Sequence, residues 1–151
     1  MKRIWRFVPM IVVMVVIFSF SAMQGEDSGK LSGSLLEMII GGLVRIFHGP
    51  ISDATIAHWH NIFRKCAHFT EFMCLGITAV VAFYNGMKSG WRNLLLPILF
   101  GVLYAISDEV HQIFVPGRGC AATDVFIDSC GVVTGVLIAL LVAVCAKEEK
   151  E

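Results

Sequence analysis

The sequence predicts an all-α integral membrane protein: a four-transmembrane-helix bundle with an amphipathic interfacial helix between the first and second spans. Three observations carry that prediction. The chain is 56% hydrophobic and only 16% charged, with a mean hydropathy of +0.75, outside the usual balance of a soluble domain. Its apolar residues gather into four stretches close to the roughly 20 residues that a helix needs to cross a bilayer. The breaks between the later stretches hold turn-forming residues, Asn85-Gly86, Ser89-Gly90 and Pro116-Gly117. Four crossings and their connections use all 151 residues, so the chain is expected to form one membrane domain over 1–151, with no room for a soluble domain of ordinary size. A large cytosolic enzyme is excluded. Twelve basic residues balance twelve acidic ones and no long basic run is present, which speaks against nucleic acid as a partner.

The first span is expected over 7–23, where 17 uncharged residues follow Lys2, Arg3 and Arg6. The basic start with Ser19, Ser21 and Ala22 also suits a cleavable signal. A retained anchor is the preferred reading, because the remainder of the chain is itself membrane-spanning. Residues 24–61 form the one long connection, placed on the external side. Within it, Leu36, Ile39, Ile40, Leu43 and Phe47 share one helical face and Glu37, Gly41 and Arg45 another, the pattern of a helix lying flat on the bilayer over 31–47. Gly49-Pro50 should end that helix, and Ser52 or Asp53 can cap the next. The second span, 62–84, opens with Arg64, Lys65, His68 and Glu71. The third, 94–115, carries Asp108, Glu109, His111 and Gln112 near its end, with Pro116-Gly117 as its terminator. The fourth, 125–146, is preceded by Asp124 and contains Asp128. The five cysteines, Cys66, Cys74, Cys120, Cys130 and Cys145, are odd in number and lack a CxxC pair. They read as small hydrophobes rather than disulfide or metal partners.

Counting basic residues in the flanks predicts orientation. With both termini cytoplasmic, Lys2, Arg3, Arg6, Lys88, Arg92, Lys147 and Lys150 lie inside, against Lys30, Arg45, Arg64, Lys65 and Arg118 outside. That topology brings the polar residues of three spans to the same, external, end. Ionisable groups at membrane depth cost a few kcal/mol each, so they are expected to face the bundle interior and one another. Spacing agrees: Arg64, His68 and Glu71 fall on one face, Asp108, His111 and Gln112 on another, and Asp124 and Asp128 continue into a glycine ridge at Gly131 and Gly135. The expected neighbour of that ridge is the third span, where Gly101, Ala105 and Asp108 form a small-residue stripe.

The elements RKCAHFTEFMCLG and YAISDEVHQIFVPGRGCAATDVFIDSCGVVTG, in that order and preceded by FSFSAMQGEDS, resemble the VanZ-like family of small bacterial membrane proteins. The resemblance covers most of the chain. Gly119-Cys120 after Arg118 is a small departure, since family members often carry a serine there. What the resemblance implies is a multi-pass protein of the bacterial cytoplasmic membrane with four spans, whose namesake is associated with resistance to the glycopeptide teicoplanin.

Two functional classes remain open on the residues. His68, Glu71, Asp108, Glu109, His111 and Asp128 are candidates for catalysis, by holding a metal or by acid/base work on a lipid head group. Arg64, Lys65, Gln112, Arg118 and Asp124 are candidates for binding, with membrane lipids, a lipid-linked cell-wall precursor or a glycopeptide as expected partners. The alternative to both is scaffolding, in which Arg64 and Lys65 anchor a helix end, Arg118 forms an ion pair and the buried groups merely join helices. The layer holds five acidic groups, Glu71, Asp108, Glu109, Asp124 and Asp128, against Arg64, Lys65 and Arg118. It would therefore repel an anionic head group unless protons or a divalent cation offset the charge. No serine or cysteine nucleophile stands in a recognisable setting, and there is no HExxH or phosphate-cradling glycine loop.

Overall fold

The structure, a computed structural model, describes residues 4–22, 53–84 and 90–148. The described residues are helical and contain no strand. A short 3₁₀ turn, Ile4–Phe7, leads into α1 (Val8–Ser21). Then follow α2 (Asp53–Phe83), α3 (Gly90–Gln112) and α4 (Ala122–Glu148). Among the described residues, four helices are long and apolar enough to cross a membrane: Ile4–Ser21, Asn61–Phe83, Gly90–Gln112 and Ala122–Ala146. The interfacial helix expected over 31–47 lies outside the described residues.

Local chemistry explains where the helices begin and end. Pro9 stands in the first turn of α1, where a missing N–H costs nothing. α3 starts at Gly90 rather than 94 and stops at Gln112 rather than 115. Past Gln112 the backbone tightens: Ile113, Phe114 and Val115 donate to the carbonyls three residues back, and the residue before a proline is biased away from the α conformation. The Arg118 N–H then donates to the Val115 carbonyl at 3.1 Å, with Gly117 at φ 78°. This is the pattern of a type II turn, proline second and glycine in the left-handed region third. α4 starts at Ala122, so Asp124 lies in its first turn, where a carboxylate favours the positive end of the helix dipole.

α2 and α4 are parallel and form the most extensive helix pair. A side chain added at Gly131 or Gly135 would run into the Phe69 or Met73 carbonyl of α2, and one added at Gly76 into the Val132 carbonyl of α4. The three glycines thus let two backbones touch. This corrects the partner expected for the Gly131 and Gly135 ridge, which is α2 and not α3. Periodicity defines a face, but it does not name the face opposite. Gly101 of α3 meets the Val132 side chain instead, so α3 packs across the seam rather than into the ridge. Phe72, Leu75, Ala79, Ala105, Val132 and Val136 are buried around this seam, and Met10 and Ile17 of α1 join the same cluster. Large apolar side chains such as Val15, Leu99, Leu103, Leu141 and Val142 face outward, as lipid contact requires.

The chain direction fixes which groups share an end. Arg6 donates to the Tyr84 carbonyl at 3.2 Å, so the start of α1 lies beside the end of α2. Ser21, at the other end of α1, meets Asp108 near the end of α3.

Candidate functional site

The α2/α4 seam sets the register of the site. With Gly131 on Phe69, Asp128, one turn earlier on α4, lies beside His68, and one further turn back along both helices puts Asp124 beside Lys65. The His68 Nδ1 stands 4.0 Å from Asp128 Oδ1. The Lys65 ammonium donates to Asp124 Oδ1, and Arg64 Nη2 approaches Asp124 Oδ2 at 3.5 Å. The rim is partly open: the Arg64 and Lys65 side chains keep 39% and 31% of their exposure. One turn deeper, Asp128 keeps 1%.

α3 closes the third side. Asp108 and Glu109 are 3% and 1% exposed. Asp108 Oδ2 accepts from Ser21 Oγ at 2.6 Å and from Gln112 Nε2 at 3.0 Å, while its Oδ1 accepts from no donor. Glu109 Oε1 accepts the Ala121 N–H at 2.9 Å, and its Oε2 is likewise without a donor. Neither oxygen of Asp128 has a hydrogen-bond partner. Arg118 is folded back by the Val115–Arg118 turn. It donates to the Phe20 carbonyl at 3.1 Å and lies 3.5 Å from Gln112 Oε1.

Between these groups lies a cavity lined by Arg64, Lys65, His68, Glu109, Gln112, Asp124, Ile127 and Asp128. The space open to a water's centre is about 10 Å³, enough for one water or one small ion. His68, Asp108 and Asp128 each offer a ligating atom within 4.8 Å of the other two, so these three residues could hold a metal.

Two of the sequence candidates turn elsewhere. Glu71 lines a separate groove on α2 with Phe63, Cys66, Ala67 and Thr70, although Asp108 and Arg118 remain within its electrostatic reach. The His111 ring lies against Phe18 of α1, with centroids 4.6 Å apart, and its Nδ1 is buried without a partner. Arg118 sits beside the cavity rather than in its lining. Ser21, by contrast, is a fully buried member of the cluster that the sequence reading assigned only to a possible cleavage site. Its signal was present: it is a polar residue at the same end of its span as the three motifs.

A family model, VanZ/LLP1, matches residues 7–143, a stretch that contains all four spans almost completely and every residue of this cluster. The chain belongs to the VanZ/LLP1 family. It is therefore a VanZ-like membrane protein, and the arrangement described above is how this chain places its RKCAHFTEF, SDEVHQIFVPGR and DVFIDSCG elements. Neither a curated protein nor a solved structure matches the chain.

Chemically, the site has two storeys. The outer one, Arg64, Lys65 and Asp124, is an ion-pair network that an incoming charged group can enter by exchange. The inner one holds buried carboxylates and one imidazole, a donor set able to coordinate a cation or to move protons.

Proposed function

We propose that this VanZ-like protein binds the head group of a cell-envelope lipid or lipid-linked cell-wall precursor at the external end of its bundle, and through that binding contributes to glycopeptide resistance of the teicoplanin type. Both termini then lie in the cytoplasm of a bacterial cell, in keeping with the excess of basic residues at that end. The observation that carries the reading is the half-exposed Arg64 and Lys65 pair at the mouth of a cavity whose floor is buried and polar. Both cations lean on one carboxylate, Asp124, so a phosphate arriving at the rim finds two donors that it can share with that residue. A lipid reaches such a rim sideways, with its chains on the apolar flanks of the helices and its head group at the helix ends.

A second reading is a membrane-embedded enzyme that modifies the head group by metal-dependent or acid/base chemistry. The unpartnered carboxylate oxygens of Asp108, Glu109 and Asp128 favour it, because buried polar atoms without partners cost stability and are retained where chemistry uses them.

Native mass spectrometry of the purified protein with a polyprenyl phosphate tests both. Wild type is expected to retain the lipid, and the double variant Arg64→Gln, Lys65→Gln to retain it at least tenfold less well. In a teicoplanin-challenged host that depends on the protein, the double variant is expected to lose protection at wild-type membrane levels. Equal lipid retention by the two proteins would overturn the binding reading, and conversion of bound lipid to a product of new mass would decide for the enzyme.

A further inference from the structure

The inner storey holds more negative charge than its surroundings account for. Asp108, Glu109 and Asp128 are each at least nine-tenths buried. Buried carboxylates of this kind are ordinarily paired with a cation or bound to a metal. Arg64 and Lys65 are paired with Asp124, and Arg118, which bonds the Phe20 carbonyl and Gln112, is one cation acting on both Asp108 and Glu109.

Two of these carboxylates and an imidazole are arranged together rather than scattered. We infer that His68, Asp108 and Asp128 form a divalent-metal site where α2, α3 and α4 meet, suited to a first-row ion such as Mn²⁺ or Zn²⁺. Their ligating atoms already lie within 4.8 Å of one another. Tetrahedral metal bonds of roughly 2.0 to 2.2 Å to imidazole and carboxylate set ligand atoms roughly 3.3 to 3.6 Å apart, a closure of up to about 1.5 Å that side-chain rotation supplies.

The supporting shell points the same way. Ser21 and Gln112 both donate to Oδ2 of Asp108, which holds the carboxylate with Oδ1 turned free. Such outer hydrogen bonds orient metal ligands in known sites. The Ala121 N–H fixes Glu109 by Oε1 and leaves Oε2 unengaged, on the wall of the cavity that His68 and Asp128 also line, so Glu109 can hold a water bound to the ion. The adjoining cavity admits one water or ion. One imidazole with carboxylates suits a transition ion better than calcium, which takes six to eight oxygens. This inference concerns the inner storey alone and stands whether or not the rim binds a lipid.

The test uses full-length protein purified without a histidine tag, stripped with a chelator and reloaded with Mn²⁺ alone. One Mn²⁺ per chain is expected by elemental analysis and by titration followed with electron paramagnetic resonance. Asp128→Asn and His68→Gln should each abolish stoichiometric binding, and Ser21→Ala should weaken it about tenfold by freeing Asp108. Asp124→Asn, at the rim, should keep it. If Asp128→Asn does not yield folded protein, X-ray absorption of the Zn²⁺-loaded wild type decides. Mixed nitrogen and oxygen scattering near 2.0 to 2.1 Å is expected. Sulfur scattering near 2.3 Å, from the chain's free cysteines, would overturn the site. So would a wild type that takes up no stoichiometric metal, or folded His68→Gln that binds as wild type does.

Discussion

At the end of the bundle where Arg6 reaches the Tyr84 carbonyl, the helices are joined by aromatic rings. Phe83 packs edge-on against Phe7 with centroids 5.8 Å apart and against Phe100 at 5.5 Å. At the other end the same helices are joined by carboxylates, an imidazole and three basic side chains. Among the described residues, the aromatic end buries no side-chain nitrogen or oxygen without a partner, whereas the charged end buries five such atoms. A bundle that needed only to hold together could have used rings at both ends. The difference locates function at the charged end and stability in the seam and the rings.

The strongest way to break this comparison is to disturb the seam that serves both ends. Gly135→Leu drives a side chain into the Met73 backbone, which cannot rotate away, and should cost about 3 kcal/mol. Loss of the monodisperse peak in detergent chromatography would report it, together with failure of metal binding. Phe83→Leu removes two ring contacts at the far end and should cost about 1.5 kcal/mol. Its melting temperature should fall while Mn²⁺ stoichiometry stays at the wild-type value. A parallel loss of metal would show that the ends are not separable. Ser21→Ala reverses that pattern: about 1 kcal/mol of stability, read from the melting curve, set against a larger fractional loss in metal affinity. Smallest is Asp124→Asn, which loosens a partly exposed ion pair and should cost about 0.5 kcal/mol, less in high salt. A salt titration of its melting temperature checks this.

Much of the fold was legible because the bilayer limits the choices. Apolar stretches of sufficient length have to be helices, and all four were visible in the sequence. The ends were less so. Pro116 looked like the stop of the third span, but the backbone had already tightened at Ile113 to Val115, ahead of the turn that closes with the Arg118 N–H on the Val115 carbonyl. The convergence of His68, Asp108 and Asp128 followed from topology and helical spacing. Which groups would share a cavity did not, because it depends on helix rotation. His111 has the same spacing credentials as Asp108, yet its ring goes to Phe18. Ser21 escaped notice because one hydroxyl in an apolar stretch has no periodic pattern to announce it.

The bond from Ser21 to Asp108 spans 87 positions in the chain, and that separation has a consequence for biogenesis. Helices enter the membrane in order of synthesis, so the Ser21 hydroxyl waits through the insertion of α2 before its acceptor arrives on α3. Asp108 and Glu109 then enter before Asp128 has been made. Only the arrival of α4 brings Asp128 to His68 and supplies the Ala121 N–H to Glu109. The site is the last part of the molecule to be completed, and a chain that stalls before its fourth helix has Asp108 bonded to Ser21 but Glu109 without the Ala121 donor and His68 without Asp128. Quality control in the membrane would meet that intermediate, not a partly working protein.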